Sequence, residues 1–357
     1  MISLKHTLVR NKLINTIRRQ IQLRRQIQLR QQLMQRLITK IQQNRAKKSL
    51  NNNISQLGNN YMDSIYFKNR VDFYLGKQLL ENKTDIKNYD NVMTINSLSN
   101  KGTISGTDRY SRYDNNLKNL LIKTNNTSKL FCFERGDITT NLNMVTLCKN
   151  RCDGNDSSVL LRTLNFPRHW GAYYNKPTDI DYDKKISKVF WRGTTTGSVT
   201  RPSNRFELIT RWYNKHNLID IGFSFICQNK QDYKKYVKGK CEIEDFLKYK
   251  YILSVEGNDK DTGINWKLNS NSLVLMAKPR VTSWLMETTL IPDYHYVLLK
   301  DDFSDLLEKT TWCNNHPNEC KQIVKNANLF MKQFANNKLE EKIEEAVINK
   351  YFELTNQ

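Results

Sequence analysis

The sequence predicts an α/β fold built on a parallel sheet with helices on both faces. From about residue 186 onward, short apolar runs typical of strands alternate with stretches typical of amphipathic helices, which is the pattern of parallel α/β sheets. Two of the apolar runs end in polar loops that contain glycine, residues 192–205 and 256–267, and a helical stretch follows each loop. Loops that follow the strands of such sheets bind ligands. We therefore expect the functional site at these two loops.

The positive charge of the chain is unevenly distributed. Its 357 residues are enough for two domains and an appendage, and they carry a formal net charge of +22. Residues 1–50 hold 13 Lys and Arg and no Asp or Glu, which leaves 44 basic against 35 acidic side chains in the rest of the chain. The body is therefore only moderately basic. Such a charge suits a small anion such as a nucleotide and does not require a nucleic-acid partner.

Residues 1–50 are predicted to form a basic helical arm, joined to the body by an Asn- and Ser-rich linker at 51–60. The near-repeat at 18–33, RRQIQLRRQIQLRQQL, alternates like a strand, but the apolar residues on either side of it keep helical spacing. Three roles are open for the arm: a solvated segment, a helix that binds acidic lipid headgroups or an acidic partner, and a nucleic-acid-binding segment. No aromatic residue precedes Tyr61 to stack on bases, which argues against nucleic acid.

Neither the apolar segments nor the cysteines suggest an exported or metal-binding protein. No apolar segment reaches the length of a signal-peptide core or a membrane span, so the sequence predicts a cytoplasmic protein, peripheral to a membrane if the arm binds lipid. Cys148 and Cys152 have no second pair with supporting histidines, so buried thiols are favoured over a metal site. Cys313 and Cys320 flank a polar loop and could pair in an oxidising compartment.

The body is divided into an N-terminal domain at 61–185, a C-terminal domain at 186–335 and a C-terminal helix at 336–357. A run at 175–185 with the composition of a linker marks the boundary between the two domains.

The N-terminal domain gives few clear signals, whereas the C-terminal domain gives many. In the first we predict a helix at 71–80, buried strands at 129–134 and 143–148, and a polar loop at 149–156. The elements predicted beyond the linker are strands at 188–191, 218–223, 251–255 and 272–276 and helices at 205–215, 243–249, 266–271, 303–313 and 319–351.

The loop at 192–205 has the composition expected around a phosphate. Glycines and small hydroxyl side chains lie between three arginines, so N–H groups and hydroxyls can donate hydrogen bonds while guanidinium groups supply positive charge. It is not a Walker loop, because the Lys-Ser/Thr ending is missing. The loop at 256–267 has a similar composition, with Gly257, Gly263 and the basic Lys267. On composition alone, an anion site and an ordinary surface loop both remain open.

Several segments between about 187 and 334 read, in order, FWRGTTTG, RFELI, KYKYILSVEGND, INWKLNSNSLVLMAKPR, SWLMETTLIPDYHYVLLKDDFSDLLEK and CKQIVKNANLFMKQF. Together they resemble glycosyltransferase family 90, which includes protein O-glucosyltransferases, capsule xylosyltransferases and lipopolysaccharide-type sugar transferases. MVTLCKNR and the triplet Arg168-His169-Trp170 resemble the lipopolysaccharide-type branch. The resemblance implies a GT-B-like fold, in which two Rossmann-like domains face a cleft and the C-terminal one holds a nucleotide sugar. The basic helical arm is then an N-terminal extension of that fold.

The resemblance also implies which residues bind the donor. They belong to the two glycine-containing loops and the helix start after the second: Arg192, Gly193, Thr195, Arg205, Glu256, Gly257, Asn258 and Lys267. Lys267 and an arginine would offset the diphosphate charge as the glycosidic bond breaks, so neither a metal nor another cofactor is expected. The Asp259-Lys260-Asp261 triplet is interpreted as a turn rather than a metal-binding pair.

The family's transferases invert the anomeric centre, which requires a carboxylate base for the acceptor hydroxyl. The base of the protein glucosyltransferases lies in an Arg-Asp-Tyr-Pro setting that is absent here, and Asp153 is the nearest substitute, with Asp156 next. Both acids could equally be solvated loop residues. The residues expected to contact the sugar or the acceptor are Arg151, Arg168, His169 and Glu287.

The leading hypothesis is a hexosyl- or xylosyltransferase that uses a UDP-sugar. The acceptor would be a hydroxyl of a glycan, a lipid-linked sugar or a protein. The alternative is a binding or scaffold protein that keeps the nucleotide-sugar fold, lacks catalysis and uses its basic arm for interaction.

Overall fold

The computed structural model describes residues 65–98, 109–154, 157–166, 168–175 and 177–357. The predicted arm at 1–50, the linker at 51–60 and Asp156 lie outside the described residues. None of the helices in the described part of the chain combines the length and the apolar character needed to cross a bilayer.

The N-terminal half combines helices with short strands. Its elements are α1 (Ile65–Leu75), α2 (Lys77–Glu81), α3 (Arg109–Lys123), β1 (Thr146–Cys148), β2 (Asn150–Cys152), β3 (Ser158–Leu160) and α4 (Gly171–Tyr174). Strand β1 pairs in parallel with β3, and β2 leaves the half to pair antiparallel with a strand of the C-terminal half. In the described part of this half, named strands pair in parallel only in this two-stranded sheet, so a second Rossmann-like domain stays a prediction.

Three N-terminal predictions are corrected by the structure. The helix predicted at 71–80 begins earlier and breaks at Gly76, whose φ is 82°. The polar loop predicted at 149–156 begins as β2. The segment at 129–134 forms only isolated β-bridges, Phe131 with Met93 and Phe133 with Leu147, and the N–H groups of Leu130 and Cys132 donate instead to the Gln357 and Tyr351 side chains.

The C-terminal half follows the predicted alternation of strands and helices. Its elements are β4 (Ile186–Gly193), α5 (Arg205–Trp212), β5 (Ile219–Phe223), α6 (Ile243–Leu247), β6 (Tyr249–Leu253), α7 (Ile264–Leu268), β7 (Leu273–Met276), β8 (Val281–Ser283), β9 (Val297–Leu298), α8 (Leu306–Asn315), α9 (Pro317–Lys332) and α10 (Asn337–Leu354). Short 3-10 helices lie at Ile86–Asn88, Ile95–Ser97, Thr163–Asn165, Tyr182–Lys184, Gln231–Tyr236 and Glu287–Thr289. The long helix predicted at 319–351 is thus two helices.

One parallel sheet organises the C-terminal half. Its strand order is β5-β4-β6-β7-β9, and every neighbouring pair is parallel. Successive side chains of β4 point to opposite faces: Trp191 packs in a cluster with residues of α5, α8 and α9, whereas Phe190 packs with Phe246 of α6 and Trp266 of α7. The predicted α/β class, with helices on both faces of a parallel sheet, is confirmed.

The last helix returns to the N-terminal half. Apolar residues of α10, among them Ile343 and Tyr351, share a core with Tyr66 and Tyr74 of α1. The guanidinium of Arg70 on α1 pairs with the Glu340 carboxylate on α10 at 2.8 Å, and both side chains are buried. The two ends of the described chain are therefore joined by an ion pair inside an apolar core.

Candidate active site

The two glycine-containing loops meet where the strand order reverses. The chain runs from β4 outward to β5 and then returns to β6 on the other side of β4. The loops after β4 and β6, residues 194–204 and 254–263, therefore leave neighbouring strands at the same edge of the sheet. We call them the β4 loop and the β6 loop. Crevices at such reversals are the usual ligand sites of open α/β sheets.

The β4 and β6 loops are packed backbone to backbone. The N–H of Gly197 donates to the Asn258 side-chain oxygen at 2.9 Å. A Cβ atom on Gly197 would lie 2.8 Å from the Gly257 carbonyl oxygen, and a Cβ on Gly257 would lie 2.7 Å from the Thr196 hydroxyl oxygen. Glycine is required at both positions because any side chain would push the loops apart.

Arg205 links the two loops by hydrogen bonds to both of them. Its buried guanidinium donates to the carbonyl oxygens of Thr194 at 3.0 Å and Val255 at 3.1 Å and to the Thr196 hydroxyl at 2.8 Å. Thr195 has a similar internal role, since its hydroxyl exchanges hydrogen bonds with the Cys227 backbone. Both residues, predicted to bind the donor, thus shape the loops from within.

Arg192 and Gly193, at the end of β4, also contact other residues of the sheet. Arg192 donates to the Asp220 carboxylate of β5 at 2.8 Å and lies over the Phe190 ring. A Cβ on Gly193 would lie 2.4 Å from the Trp191 ring, so this glycine makes room for an aromatic side chain.

Lys267 lies in the interior, although it is predicted to contact a diphosphate. Its ammonium is 2.5 Å from the Asp261 carboxylate and donates to the Leu253 carbonyl at 3.0 Å, and the residue is only 3% exposed. Burial raises the pKa of Asp261, but the Lys267 ammonium, the hydrogen bond from the Gly263 N–H and the charge of Arg205 together lower it below its usual value, so the carboxylate stays ionised. In this structure Lys267 closes the base of the β6 loop, and its contact with a diphosphate stays a prediction.

Two guanidinium groups that the predicted site omitted lie half-buried at the mouth of the loops. Arg201 pairs with Glu256 at 2.6 Å, and Arg280, just after β7, pairs with Asp301 at 2.6 Å. The other Glu256 oxygen accepts hydrogen bonds from the backbone N–H groups of Arg280 and Val281. Burial raises the pKa of Glu256. Arg280 could have been predicted from its position in the segment after β7, because β7 is parallel to β6 and ends at the same edge of the sheet.

The N-terminal half meets the β6 loop through a charged triad. The Lys149 ammonium, 2% exposed, pairs with Asp137 and, at 2.8 Å, with Asp259. The Asn258 side chain donates to Asp137 at 3.1 Å. Although burial lowers the pKa of Lys149, the two carboxylates raise it above its usual value. The triad therefore links the two halves at the edge of the candidate site.

A second buried pair lies beside the triad. Lys260 contacts Glu287 at 2.8 Å, and the Ser283 hydroxyl links them by accepting from Lys260 and donating to Glu287. His169 is buried, and burial followed by the charges of Lys260 and Lys149 holds its pKa well below the usual value, so the ring is neutral. Glu287 and His169 thus both lie near the Lys260 ammonium, and their contact with a sugar or an acceptor stays a prediction.

The remaining predicted residues are Asp153, Arg151 and Arg168, and none of them belongs to the β4 loop or the β6 loop. Asp153 is exposed, and its N–H donates to the Arg280 carbonyl at 2.7 Å. It lines a surface pocket of about 330 Å³ to which, among the described residues, neither the β4 loop nor the β6 loop contributes. Arg151 is buried, donates to the Phe73 carbonyl and lies over the Phe73 ring. Arg168 is exposed near Asp137, whose pKa its charge lowers.

The acids of the Asp259-Lys260-Asp261 triplet point to different partners. Asp259 pairs with Lys149 and Asp261 with Lys267. Across the described residues, no group of three His, Cys, Asp or Glu side chains is arranged to hold a metal ion. All seven cysteines fall in this part of the chain and carry free thiols.

Gly197→Ala should destabilise the chain more than Gly239→Ala, by about 1–3 kcal/mol. Both glycines have a positive φ, 100° and 93°, so alanine strains the backbone at either position. Only Gly197 faces a backbone carbonyl within 3 Å, whereas a Cβ on Gly239 meets nothing within 4 Å. Urea unfolding of both variants measures the difference. Equal losses would show that the β4 and β6 loops separate at little cost.

The part of the chain that contains these loops is similar to known proteins. A model of the family described as glycosyl transferase family 90 matches residues 171–356. The chain is 34% identical over 226 residues to the O-glucosyltransferase LpsA of Dichelobacter nodosus, covering 63% of this chain and 67% of that protein.

Two animal proteins are similar over a shorter stretch. Protein O-glucosyltransferase 2 of Danio rerio is 30% identical over 146 residues, 40% of this chain and 28% of that protein. Protein O-glucosyltransferase 3 of Homo sapiens is 31% identical over 157 residues, 43% of this chain and 29% of that protein. The chain thus spans less than a third of each animal relative.

Proposed function

Because the chain belongs to glycosyl transferase family 90, we propose that it transfers a sugar from a UDP-sugar to an acceptor hydroxyl with inversion at the anomeric carbon. The observation that supports this most is the pair of interlocked loops at the reversal of the strand order, with half-buried arginines at their mouth. The C-terminal half would hold the nucleotide and the N-terminal half the acceptor, in a GT-B-like cleft. The Lys149 triad and the polar interior around Lys260 would lie between donor and acceptor.

Arg201 and Arg280 are the groups that we propose to face the diphosphate. Guanidinium groups form paired, charge-assisted hydrogen bonds to phosphate oxygens and stabilise the negative charge that develops on the leaving group. Their present partners, Glu256 and Asp301, would share them with the nucleotide. Arg205, Thr195 and the glycines would preserve the loop shape that presents backbone N–H groups to the phosphates. This arrangement requires no metal or other cofactor in the proposal.

The names of the relatives support glucose as the first sugar to test. The bacterial relative is an O-glucosyltransferase and the animal relatives are protein O-glucosyltransferases. The proposed acceptor is a hydroxyl of a glycan, a lipid-linked sugar or a protein, and UDP-xylose is the second donor to test. The basic arm at 1–50 would bring the enzyme to an acidic partner or to a cytoplasmic membrane surface.

Arg201→Ala should weaken UDP binding by roughly 1.5–3 kcal/mol, the usual contribution of a hydrogen bond to a charged group. Isothermal titration calorimetry with UDP measures the loss. Arg211→Ala is the matched control, because Arg211 lies on the surface of α5 and pairs with Asp302 at 3.5 Å. We expect the control variant to bind UDP as the wild-type chain does.

Release of UDP from UDP-glucose and UDP-xylose by the wild-type chain tests the reaction itself. Turnover with either donor supports the proposed transfer. A chain that binds UDP but releases none from any UDP-sugar would instead be a binding protein that keeps the nucleotide-sugar fold. A chain that does not bind UDP would contradict the donor site.

A further inference from the structure

A carboxylate of the N-terminal half reaches the β6 loop directly. Asp137 accepts a hydrogen bond from Asn258 at 3.1 Å and pairs with Lys149. Its side chain remains 27% exposed. A carboxylate has about four lone-pair sites, so these two contacts leave Asp137 able to accept a further hydrogen bond from a ligand. Asp137 therefore combines a position beside the proposed donor loop with access from solvent.

The other acids near the loops are less suited to receive a proton from an acceptor. Asp259 is 7% and Glu287 is 1% exposed at the side chain, against 27% for Asp137, so an acceptor has far less access to them. Asp261 is held by Lys267, the Ser254 hydroxyl and the Gly263 N–H. Glu256 already accepts from Arg201 and two backbone N–H groups.

Asp153, the base predicted from the sequence, lines a pocket to which neither the β4 loop nor the β6 loop contributes. That pocket is lined by residues of α1, α2 and β2, among them Phe73, Lys77 and Arg151. An acceptor hydroxyl there would be beside neither loop. Asp153 thus lines a pocket away from the two loops and reaches Arg280 only through its backbone N–H, whereas the Asp137 carboxylate contacts the Asn258 side chain of the β6 loop.

We propose that Asp137 is the base that deprotonates the acceptor hydroxyl, an inference that rests on the proposed sugar transfer. The O–H bond of the acceptor breaks and its proton passes to Asp137. The acceptor oxygen forms a bond to the anomeric carbon of the sugar. The bond from that carbon to the β-phosphate oxygen breaks, and its electron pair leaves with UDP. Asp137 then returns the proton to water.

The charged triad explains how Asp137 can change its charge without leaving a buried lysine unpaired. In the resting state burial raises the pKa of Asp137, but Lys149 and the hydrogen bond from Asn258 lower it below the usual value, so the carboxylate is ionised. When Asp137 takes the proton, Lys149 keeps Asp259 as its partner at 2.8 Å. An unpaired buried ammonium would be costly. Because Asp259 stays paired with Lys149, protonation of Asp137 does not leave a buried charge without a partner.

The test compares carboxylate variants of the full-length chain. UDP release from UDP-glucose is measured with water and with p-nitrophenyl glycosides as acceptors, and UDP affinity is measured by calorimetry. Asp137→Asn should lower kcat by about 10²–10⁴-fold, the usual contribution of a general base, while UDP affinity stays within about threefold. Asp302→Asn, on the exposed surface beside Arg211, is the matched control and should keep wild-type kcat.

Asp137→Glu is a second variant, which tests the role of the carboxylate even if Asp137→Asn fails to fold. It keeps a negative charge for Lys149 but moves the carboxylate by one methylene, so kcat should fall while thermal unfolding stays close to wild type. Full turnover in Asp137→Asn, or loss of turnover in Asp153→Asn alone, would overturn the assignment to Asp137. A wild-type chain that binds UDP but never releases it from a UDP-sugar would refute the proposed transfer itself, and one that does not bind UDP would refute the donor site. The choice of Asp137 is tested by the variants of a wild-type chain that does release UDP.

Discussion

Lys267→Met should destabilise the folded chain by about 3–5 kcal/mol, because it removes one partner of a buried ion pair. The Asp261 carboxylate would remain buried, with the Ser254 hydroxyl and the Gly263 N–H as hydrogen-bond donors but without its counter-charge. The Leu253 carbonyl would also lose the hydrogen bond that the ammonium donates. Urea unfolding followed by circular dichroism measures the loss.

Two further variants make this result specific. Lys350→Met removes a lysine from an exposed pair with Glu353, and such pairs contribute at most about 1 kcal/mol. The double variant Lys267→Met with Asp261→Asn removes both charges, so part of the lost stability should return. Normal stability of Lys267→Met combined with weaker UDP binding would contradict the structural role and support the diphosphate contact that the sequence predicts.

Glu340→Gln should also destabilise the chain by about 3–5 kcal/mol. The carboxylate pairs with Arg70 at 2.8 Å and accepts from the Trp284 indole N–H at 2.5 Å, and the side chains of the ion pair are 2% and 0% exposed. Both hydrogen bonds go to the Oε2 atom, so a glutamine oxygen in its place can accept them, but the amide leaves the guanidinium buried without a counter-charge. The Tyr66 and Tyr74 hydroxyls would be its remaining side-chain partners.

Glu353→Gln is the matched control for this prediction. Glu353 lies on the same helix, α10, and its pair with Lys350 is exposed. Its replacement should leave the urea concentration at the midpoint of unfolding close to that of the wild-type chain. If Glu340→Gln unfolds at the same urea concentration as this control, α1 and α10 are held together by apolar packing alone.

The order of strands and helices in the C-terminal half could be predicted because its signals are local. The apolar runs that become β4, β5, β6 and β7 lie within a few residues of their predicted positions. The glycines and polar residues after β4 and β6 were sufficient to predict where the loops lie. The segment at 129–134 shows the limit of such signals, because it forms only isolated bridges and two of its N–H groups donate to side chains more than 200 residues away.

The roles of the charged residues could not be predicted from spacing. Arg192 and Lys267 have the charge that a phosphate site needs, yet they pair with Asp220 and Asp261. Asp137 lies 121 residues from the Asn258 side chain that it contacts, and it was not among the predicted bases. Sequence spacing does not show which face of a strand a side chain occupies or which distant charge it meets.

The sequence by itself thus determined the family, the parallel α/β class and the two loops at which we place the donor. These follow from hydrophobic periodicity and from residues whose backbone preferences act over a few positions. The tertiary structure alone decided which charges are buried and which remain open to a ligand. The reason is energetic: a buried charge must find a partner wherever the fold brings one. That requirement commits Lys267 to Asp261 and leaves Arg201, Arg280 and Asp137 beside the loops.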